Sequence, residues 1–404
     1  MIKNLLTSNN IQDKHLDKNV LKNLTKKFNK IIELINSDIN YPEKTVNVLS
    51  KNFKFNFKNK DLQKFKKYKT IAIIGMGGSI LGAEAINNFL EEKIKKKIYF
   101  FNNLNTKKIS TIKKEKKLNK ILFIIISKSG NTIETLSNLS ALNIIKKNSK
   151  NVILISQKKN NLFFTLSRKF NLFYIEHKDY IGGRYSVLSE VGIIPAYLMG
   201  INIFKLRSAI QNFLKGKEKI FLKQSSIKLA CLLTTKKINS LVFLNYSPEL
   251  EKFLFWCQQL IAESLGKKGK GFFPVVSNVP KDHHSLLQLY LDGPKDKLFH
   301  IFSLKEKSKE KINLKKITNS NSYLNNKALS TIKNAQKDAL IKAFKKNKIP
   351  FREFKINKTN EEVLGELFSY FILETVIIAR LIKINPFDQN SVEQIKVYTK
   401  NLLT

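Results

Sequence analysis

Ile71-Ala72-Ile73-Ile74-Gly75-Met76-Gly77-Gly78-Ser79-Ile80-Leu81-Gly82 joins four consecutive apolar residues to a glycine-rich turn and then to a helix-like stretch. A run this short cannot make a stable helix, and it is apolar on both faces. That is how a strand buried inside a parallel sheet reads. Working outward, the pattern recurs at Ile98–Phe101, Ile121–Ile126, Val152–Ile155 and Leu172–Ile175, with longer helix-like stretches between. Five such strands with helical crossovers predict a doubly wound, three-layer α/β/α domain over 51–205. The alternation resumes with Leu241–Leu244, Leu298–Phe302 and Phe351–Ile356, which predicts a second α/β domain of the same kind over 206–384. Residues 1–50 are polar, contain no glycine and read as a helical lead-in. Residues 385–404 read as the turn Asn385-Pro386-Phe387-Asp388-Gln389 followed by a last helix. The expected class is α/β: two doubly wound parallel sheets with helices at both ends.

The chain has 404 residues, enough for two or three domains. Its 43% hydrophobic content excludes a disordered chain. Lys and Arg number 73 against 31 acidic residues, a formal charge of +42. Arginine supplies only five of these, at 168, 184, 207, 352 and 380. Surfaces that clamp phosphates or read bases favour the planar guanidinium fork. Here lysine is spread from end to end together with Asn, Ile and Phe, all residues of A- and T-rich codons. Genome composition therefore accounts for the charge, and no specific nucleic-acid partner is expected. Runs such as Lys113-Lys114-Glu115-Lys116-Lys117 read as solvated helix faces. Cys231 and Cys257 are the only cysteines, too few for a disulfide scaffold or a metal cluster. The N-terminus lacks a signal-peptide apolar core, and the longest wholly apolar run, Ile121–Ile126, is far short of the ~20 residues that span a bilayer. A cytoplasmic protein without membrane contact is expected.

A glycine turn at the carboxyl end of a parallel strand lets backbone approach an anion, and the following helix offers free N–H groups to it. The turn at Gly75–Gly82 departs from the dinucleotide fingerprint, because Ile80 fills the third glycine slot. The second strand ends in Asn102-Asn103, without the acidic residue that holds a ribose hydroxyl. NAD binding is thereby disfavoured. The third strand ends in Ser127-Lys128-Ser129-Gly130-Asn131-Thr132, ahead of a helix starting near Ile133. Three hydroxyls, an ammonium and helix N–H groups suit a phosphate monoester. A well-capped helix would read the same way. The spacing is not that of a Walker A loop.

Gly182-Gly183-Arg184-Tyr185-Ser186-Val187-Leu188-Ser189 resembles a signature of the glucose-6-phosphate isomerase (phosphoglucose isomerase) family. So do Gln258-Gln259-Leu260-Ile261-Ala262-Glu263-Ser264-Leu265-Gly266-Lys267 and Asp282-His283-His284-Ser285-Leu286-Leu287-Gln288-Leu289. The ending Asn385–Gln389 through Val392-Glu393-Gln394-Ile395-Lys396 is similar as well. The resemblance runs over about residues 70–400 with the motifs in the family's order. It implies two sugar-isomerase (SIS) domains and the interconversion of glucose 6-phosphate and fructose 6-phosphate, in glycolysis and gluconeogenesis, without cofactor or metal.

Moving a carbonyl from C1 to C2 of a hexose phosphate needs a base that shuttles a proton through a cis-enediol. By resemblance that base is Glu263, and Arg184 offsets the enediolate charge. His284 and Lys396 match the ring-opening residues, with His284 reaching the site of a neighbouring subunit, which implies a homodimer. Gln259 and Gln389 match positions near the substrate. The phosphate falls to Gly78, Ser79, Ser127, Lys128, Ser129 and Thr132, a remote handle that positions the reacting carbons. Two departures stand out: His283 where Gln is usual, and Asn131 where Thr is common. The alternatives are another sugar-phosphate aldose–ketose isomerase and a non-catalytic sugar-phosphate-binding regulator. The presence of all four proton- and charge-handling residues speaks against the regulator.

Overall fold

The computed structural model describes residues 4–404 apart from 116, 307, 309, 315–316 and 318–321. The N-terminal stretch corrects the expected helical lead-in: Leu5–Asn9 is a strand, β1. Helix α1 (Lys18–Asn40) follows, with Asp17 accepting from Val20 N at 2.8 Å as its cap. Leu24, Phe28, Ile31, Ile32, Ile35 and Ile39 form its buried stripe at helical spacing. A single turn, α2 (Asn59–Leu62), leads into the first sheet.

That sheet contains β2 (Thr70–Ile74), β3 (Lys97–Phe101), β4 (Ile121–Ile126), β5 (Val152–Ser156) and β6 (Phe173–Glu176), all parallel, in the order β3-β2-β4-β5-β6. Every residue of β4 is buried, as its unbroken apolar run requires. The crossovers are α3 (Leu81–Phe89), α4 (Thr106–Glu115), α5 (Ile133–Leu142) and α6 (Leu162–Lys169). The order in which strands are added reverses between β2 and β4, so their carboxyl ends flank the crevice where open α/β sheets bind ligands. Lys113, Lys114 and Lys117 are solvated as expected; Lys116 lies outside the described residues.

Helices α7 (Glu190–Met199), α8 (Ile203–Ser208) and α9 (Gly216–Thr235) lead to the second sheet. It contains β7 (Ser240–Asn245), β8 (Phe273–Asn278), β9 (Lys297–Leu304) and β10 (Phe351–Ile356). The crossovers here are α10 (Glu251–Leu265), α11 (His283–Asp292) and α12 (Leu329–Lys346). The order is β1-β10-β9-β7-β8. Its four later strands are parallel, whereas β1 runs antiparallel to β10 with Leu5 opposite Ile356 and Asn9 opposite Arg352. The second sheet thus carries an antiparallel edge that alternation of apolar runs did not predict. Strand β8 was also missed, since Pro274 interrupts its pattern. Proline is tolerated there because β8 pairs only with β7 and is an edge.

Helices α13 (Glu361–Leu381) and α14 (Glu393–Leu403) complete the chain. α13 is almost wholly buried and packs with α10 between the two sheets, where Phe253, Trp256, Phe368 and Phe371 interlock. One apolar cluster runs continuously through both halves. Within it, Arg352 donates to Glu374, Tyr370 and His300, satisfying a buried charge and tying β9 and β10 to α13. No helix among the described residues is long and apolar enough to cross a membrane.

Candidate active site

Two glycine turns meet at the carboxyl edge of the first sheet. Gly77 has φ +51°, the left-handed region that favours glycine, at the start of a tight turn over Gly77–Ser79. A Cβ on Gly78 would lie 2.2 Å from the carbonyl carbon of Gly183, so the turns pack backbone against backbone. This contact sets Gly183 and, after it, Arg184 beside the end of β2. A Cβ on Gly77 would lie 2.8 Å from Gln259 Nε2, which brings α10 into the same contact.

Arg184 is 1% exposed, and each guanidinium nitrogen is used. Nε donates to Ser264 Oγ at 2.8 Å. Nη1 donates to Glu263 Oε2 at 3.1 Å and to Gln389 Oε1 at 2.7 Å. Nη2 donates to the carbonyls of Pro386 at 2.6 Å and Asp388 at 2.9 Å. One planar cation therefore fastens α10 to the turn before α14, a task a lysine's point charge could not perform. Glu263 is held on both oxygens, because Gln259 Nε2 donates to Oε1 at 2.9 Å. Its side chain stays 30% exposed, so the carboxyl group is held in a fixed orientation with part of its surface open. Gln259 Oε1 is buried and has no partner among the described residues. Tyr185 braces the group through Ser264 Oγ at 2.8 Å and Pro386 O at 3.1 Å. Burial raises its pKa and keeps the hydroxyl protonated. Lys267 closes the back of the turn on Asp388 at 2.6 Å, and that hydrogen bond lowers the Asp388 pKa.

The second predicted anion turn lies across the crevice. Ser127 and Thr132 hydroxyls are 2.8 Å apart, and Ser129 Oγ accepts from Asn131 N at 3.3 Å. Thr132 occupies the N-cap of α5 yet makes no side-chain cap bond. The first N–H groups of α5 are therefore not consumed by that hydroxyl, which favours the anion reading over the cap reading. Asn131 instead reaches Leu162 N, at the start of α6, at 3.4 Å. The Lys128 ammonium is half-buried near Asp179, Lys159 and Arg184, and desolvation lowers its pKa. Ser79 is half-buried in the first turn. Behind Lys128 sits His177, fully buried, whose pKa burial pushes down to about 4. Its Nδ1 donates to Lys178 O at 2.8 Å, and Nε2 has no partner among the described residues.

The two ring-opening candidates stand apart from this cluster. Lys396 lies on α14, largely exposed, and pairs with Glu393 at 2.6 Å. It lines a cavity of about 1060 Å³ together with Met76, Leu104, Ser129, Asn131 and Thr132, so it faces the second anion turn rather than Arg184. His284 is exposed at the start of α11. Among the described residues its side chain has no hydrogen-bond partner, and it bonds neither to Arg184 nor to Glu263. The chain thus assembles Arg184, Glu263, Gln259 and Gln389, with Gly78 beneath them. Sequence reasoning gave no role to Ser264, Tyr185, Lys267, Asp388 or His177. The first four lie inside the quoted motifs, but which polar atoms meet is a tertiary fact that spacing does not encode.

The sequence profile described as phosphoglucose isomerase matches residues 50–404. A probable glucose-6-phosphate isomerase of Methanococcus maripaludis is 32% identical over 400 residues, spanning 95% of this chain and 90% of that protein. The glucose-6-phosphate isomerase of Methanocaldococcus jannaschii is 32% identical over 354 residues, spanning 84% and 86%. Among solved structures, a glucose-6-phosphate isomerase from Chlamydia trachomatis superposes with a TM-score of 0.76 at 15% identity, over 100% of this chain and 89% of that one. At that identity the superposition speaks for the fold.

Proposed function

The chain belongs to the phosphoglucose isomerase family, and from that premise we propose that it interconverts D-glucose 6-phosphate and D-fructose 6-phosphate, a step of glycolysis and gluconeogenesis. The observation that carries the reading is the Glu263 carboxylate, fixed on both oxygens by Arg184 and Gln259 and still partly exposed.

In this reading the phosphate binds at the Ser127–Thr132 turn, against Ser79, Ser129 and the start of α5, with Lys128 adding charge. That anchorage places C1 and C2 of the open-chain sugar over Glu263. The carboxylate removes the C2 proton of the aldose and the C1 carbonyl oxygen gains a proton to give the enediol; the C2 hydroxyl then gives up its proton to become the ketose carbonyl while Glu263 delivers its own proton to C1. Charge developing on the enediolate oxygens is offset by Arg184, already aligned by its other acceptors and needing little reorganisation. Gln259, whose buried carbonyl oxygen has no partner among the described residues, and Gln389 hold sugar hydroxyls. Ring opening precedes this step: Lys396 and His284 move protons at the ring oxygen and the C1 hydroxyl.

His284 stands exposed outside the cluster, and Lys396 faces the site from across a cavity. Both placements support a homodimer in which His284 serves the neighbouring subunit's site. The free thiols of Cys231 and Cys257, both buried, suit a reducing compartment and support a cytoplasmic location.

The test is a coupled assay with purified protein and fructose 6-phosphate. Glu263→Gln keeps the hydrogen-bonding shape and removes the base. It should lower kcat by about 10³-fold or more with KM nearly unchanged. Near-normal turnover would remove Glu263 from the mechanism. A panel including mannose 6-phosphate and glucosamine 6-phosphate defines the sugar accepted.

A further inference from the structure

The residue beside His284 is held in a way the isomerase chemistry described above does not use. His283 opens α11, and its Nε2 lies 3.2 Å from the Tyr246 hydroxyl, the two rings meeting edge-on at 5.8 Å. Tyr246 follows β7 directly, is 1% exposed, and sits among Val242, Val279, Tyr290, Leu340 and Phe344. Burial keeps that phenol protonated far above neutral pH. A buried hydroxyl must place its hydrogen on an acceptor. The acceptor in reach is His283 Nε2, so the ring carries its hydrogen on Nδ1 and is neutral. Half-burial and the neighbouring His284 both lower the His283 pKa, in the same sense.

The surrounding geometry makes this ring one of two anchors. Asp282 Oδ2 accepts from Asn278 N at 2.7 Å and from Ser277 Oγ at 3.2 Å, fastening the turn to the end of β8. His283 fastens it to the end of β7. Between the two anchors the first turn of α11 cannot rotate, and His284 projects from it into solvent. The charged groups facing the ring are few: Asp282 and His284 on its own segment, Lys281 paired with Asp282 at 3.5 Å, and Asp338 on α12, whose charge is felt at Tyr246.

We infer that His283, held by Tyr246, is a positioning residue for His284: it fixes the first turn of α11 and, as a neutral acceptor, leaves His284 as the member of the pair that carries the working proton. This rests on the isomerase reading of His284. When acid protonates His283, two imidazolium rings adjoin and the Tyr246 hydrogen loses its acceptor in apolar surroundings. The acid limb of activity then contains a second ionisation that is not that of a catalytic group.

Three variants and one spectrum test this. His283→Ala and Tyr246→Phe remove the anchor; kcat at pH 7.5 should fall about 10-fold through misplacement of His284, with KM within about twofold. His283→Gln keeps an acceptor that does not titrate. It should restore kcat to within about twofold and lower the steepness of the acid limb of the kcat profile from two protons to one. In the wild-type protein, imidazole ¹⁵N spectra should show His283 protonated on Nδ1 only and titrating below the ordinary imidazole value. Wild-type kcat and an unchanged acid limb in folded His283→Ala and Tyr246→Phe would overturn the proposal. So would a His283 that titrates above the ordinary imidazole value, a reading that needs no variant to fold. If the wild-type protein failed to isomerise hexose phosphates, the isomerase reading would fall, while the tautomer and titration of His283 would still judge the Tyr246–His283 pair.

Discussion

Arg184 shows what a single side chain contributes here. Composition treats it as one of 73 basic residues, yet its five hydrogen bonds join α10, the Gly183 turn and the segment leading to α14. Its motif made it visible in the sequence; its partners Ser264 and the carbonyls of Pro386 and Asp388 were not, because acceptors 80 to 204 positions away are brought close only by the fold. His177 was invisible for the same reason, being a histidine in no motif. It nonetheless has a measurable signature. Its pKa falls from 6.5 to about 4 on burial, so between those values the unfolded chain binds a proton that the folded chain does not. Stability from this residue is therefore complete above pH 6.5 and declines as pH drops toward 4. Between pH 7.5 and 5 it should amount to about 2 kcal/mol. Chemical denaturation of wild-type protein and His177→Gln at both pH values checks this: the variant should lose that share of the pH dependence.

At the scale of elements, the two glycine turns are the device that makes the crevice. Gly78→Ala would set a Cβ against the Gly183 backbone, which has no rotamer to change and can only move away. The expected loss is about 1–3 kcal/mol of stability, visible as a lower melting temperature. A fall of about 100-fold in kcat/KM should accompany it, since Arg184 moves with Gly183. The strands that carry these turns were legible because an unbroken run such as Ile121–Ile126 has few alternatives to a doubly covered strand. The edges were not. β1 is five residues with only Leu5 fully buried, and β8 contains Pro274. Edge strands bury less and tolerate interruptions, so the apolar signal that reveals central strands fades at the margins of a sheet.

For the whole molecule the charge of +42 is the dominant physical fact, and few of those cations touch the site. Arg184 is neutralised locally by Glu263, which leaves Lys128 beside the second anion turn and Lys396 and Lys400 lining the cavity in front of it. The remaining excess acts at longer range, where it raises the local concentration of an anionic substrate. Raising ionic strength from 0.01 M to 0.5 M shortens the screening length from about 30 Å to under 10 Å. Steady-state kinetics should then show kcat/KM for the hexose phosphate falling several-fold while kcat is preserved.

The pairing of β1 with β10 imposes an order of events during synthesis. The first sheet is complete once residue 176 has been made, so the half that carries both anion turns can close early. Leu5–Asn9, made first, has its hydrogen-bonding edge supplied by Arg352–Ile356, made near the end. A nascent chain therefore carries an unpaired leading segment through most of its translation, with its partner still on the ribosome. Closing so long a loop comes late, after Arg352–Ile356 has left the ribosome.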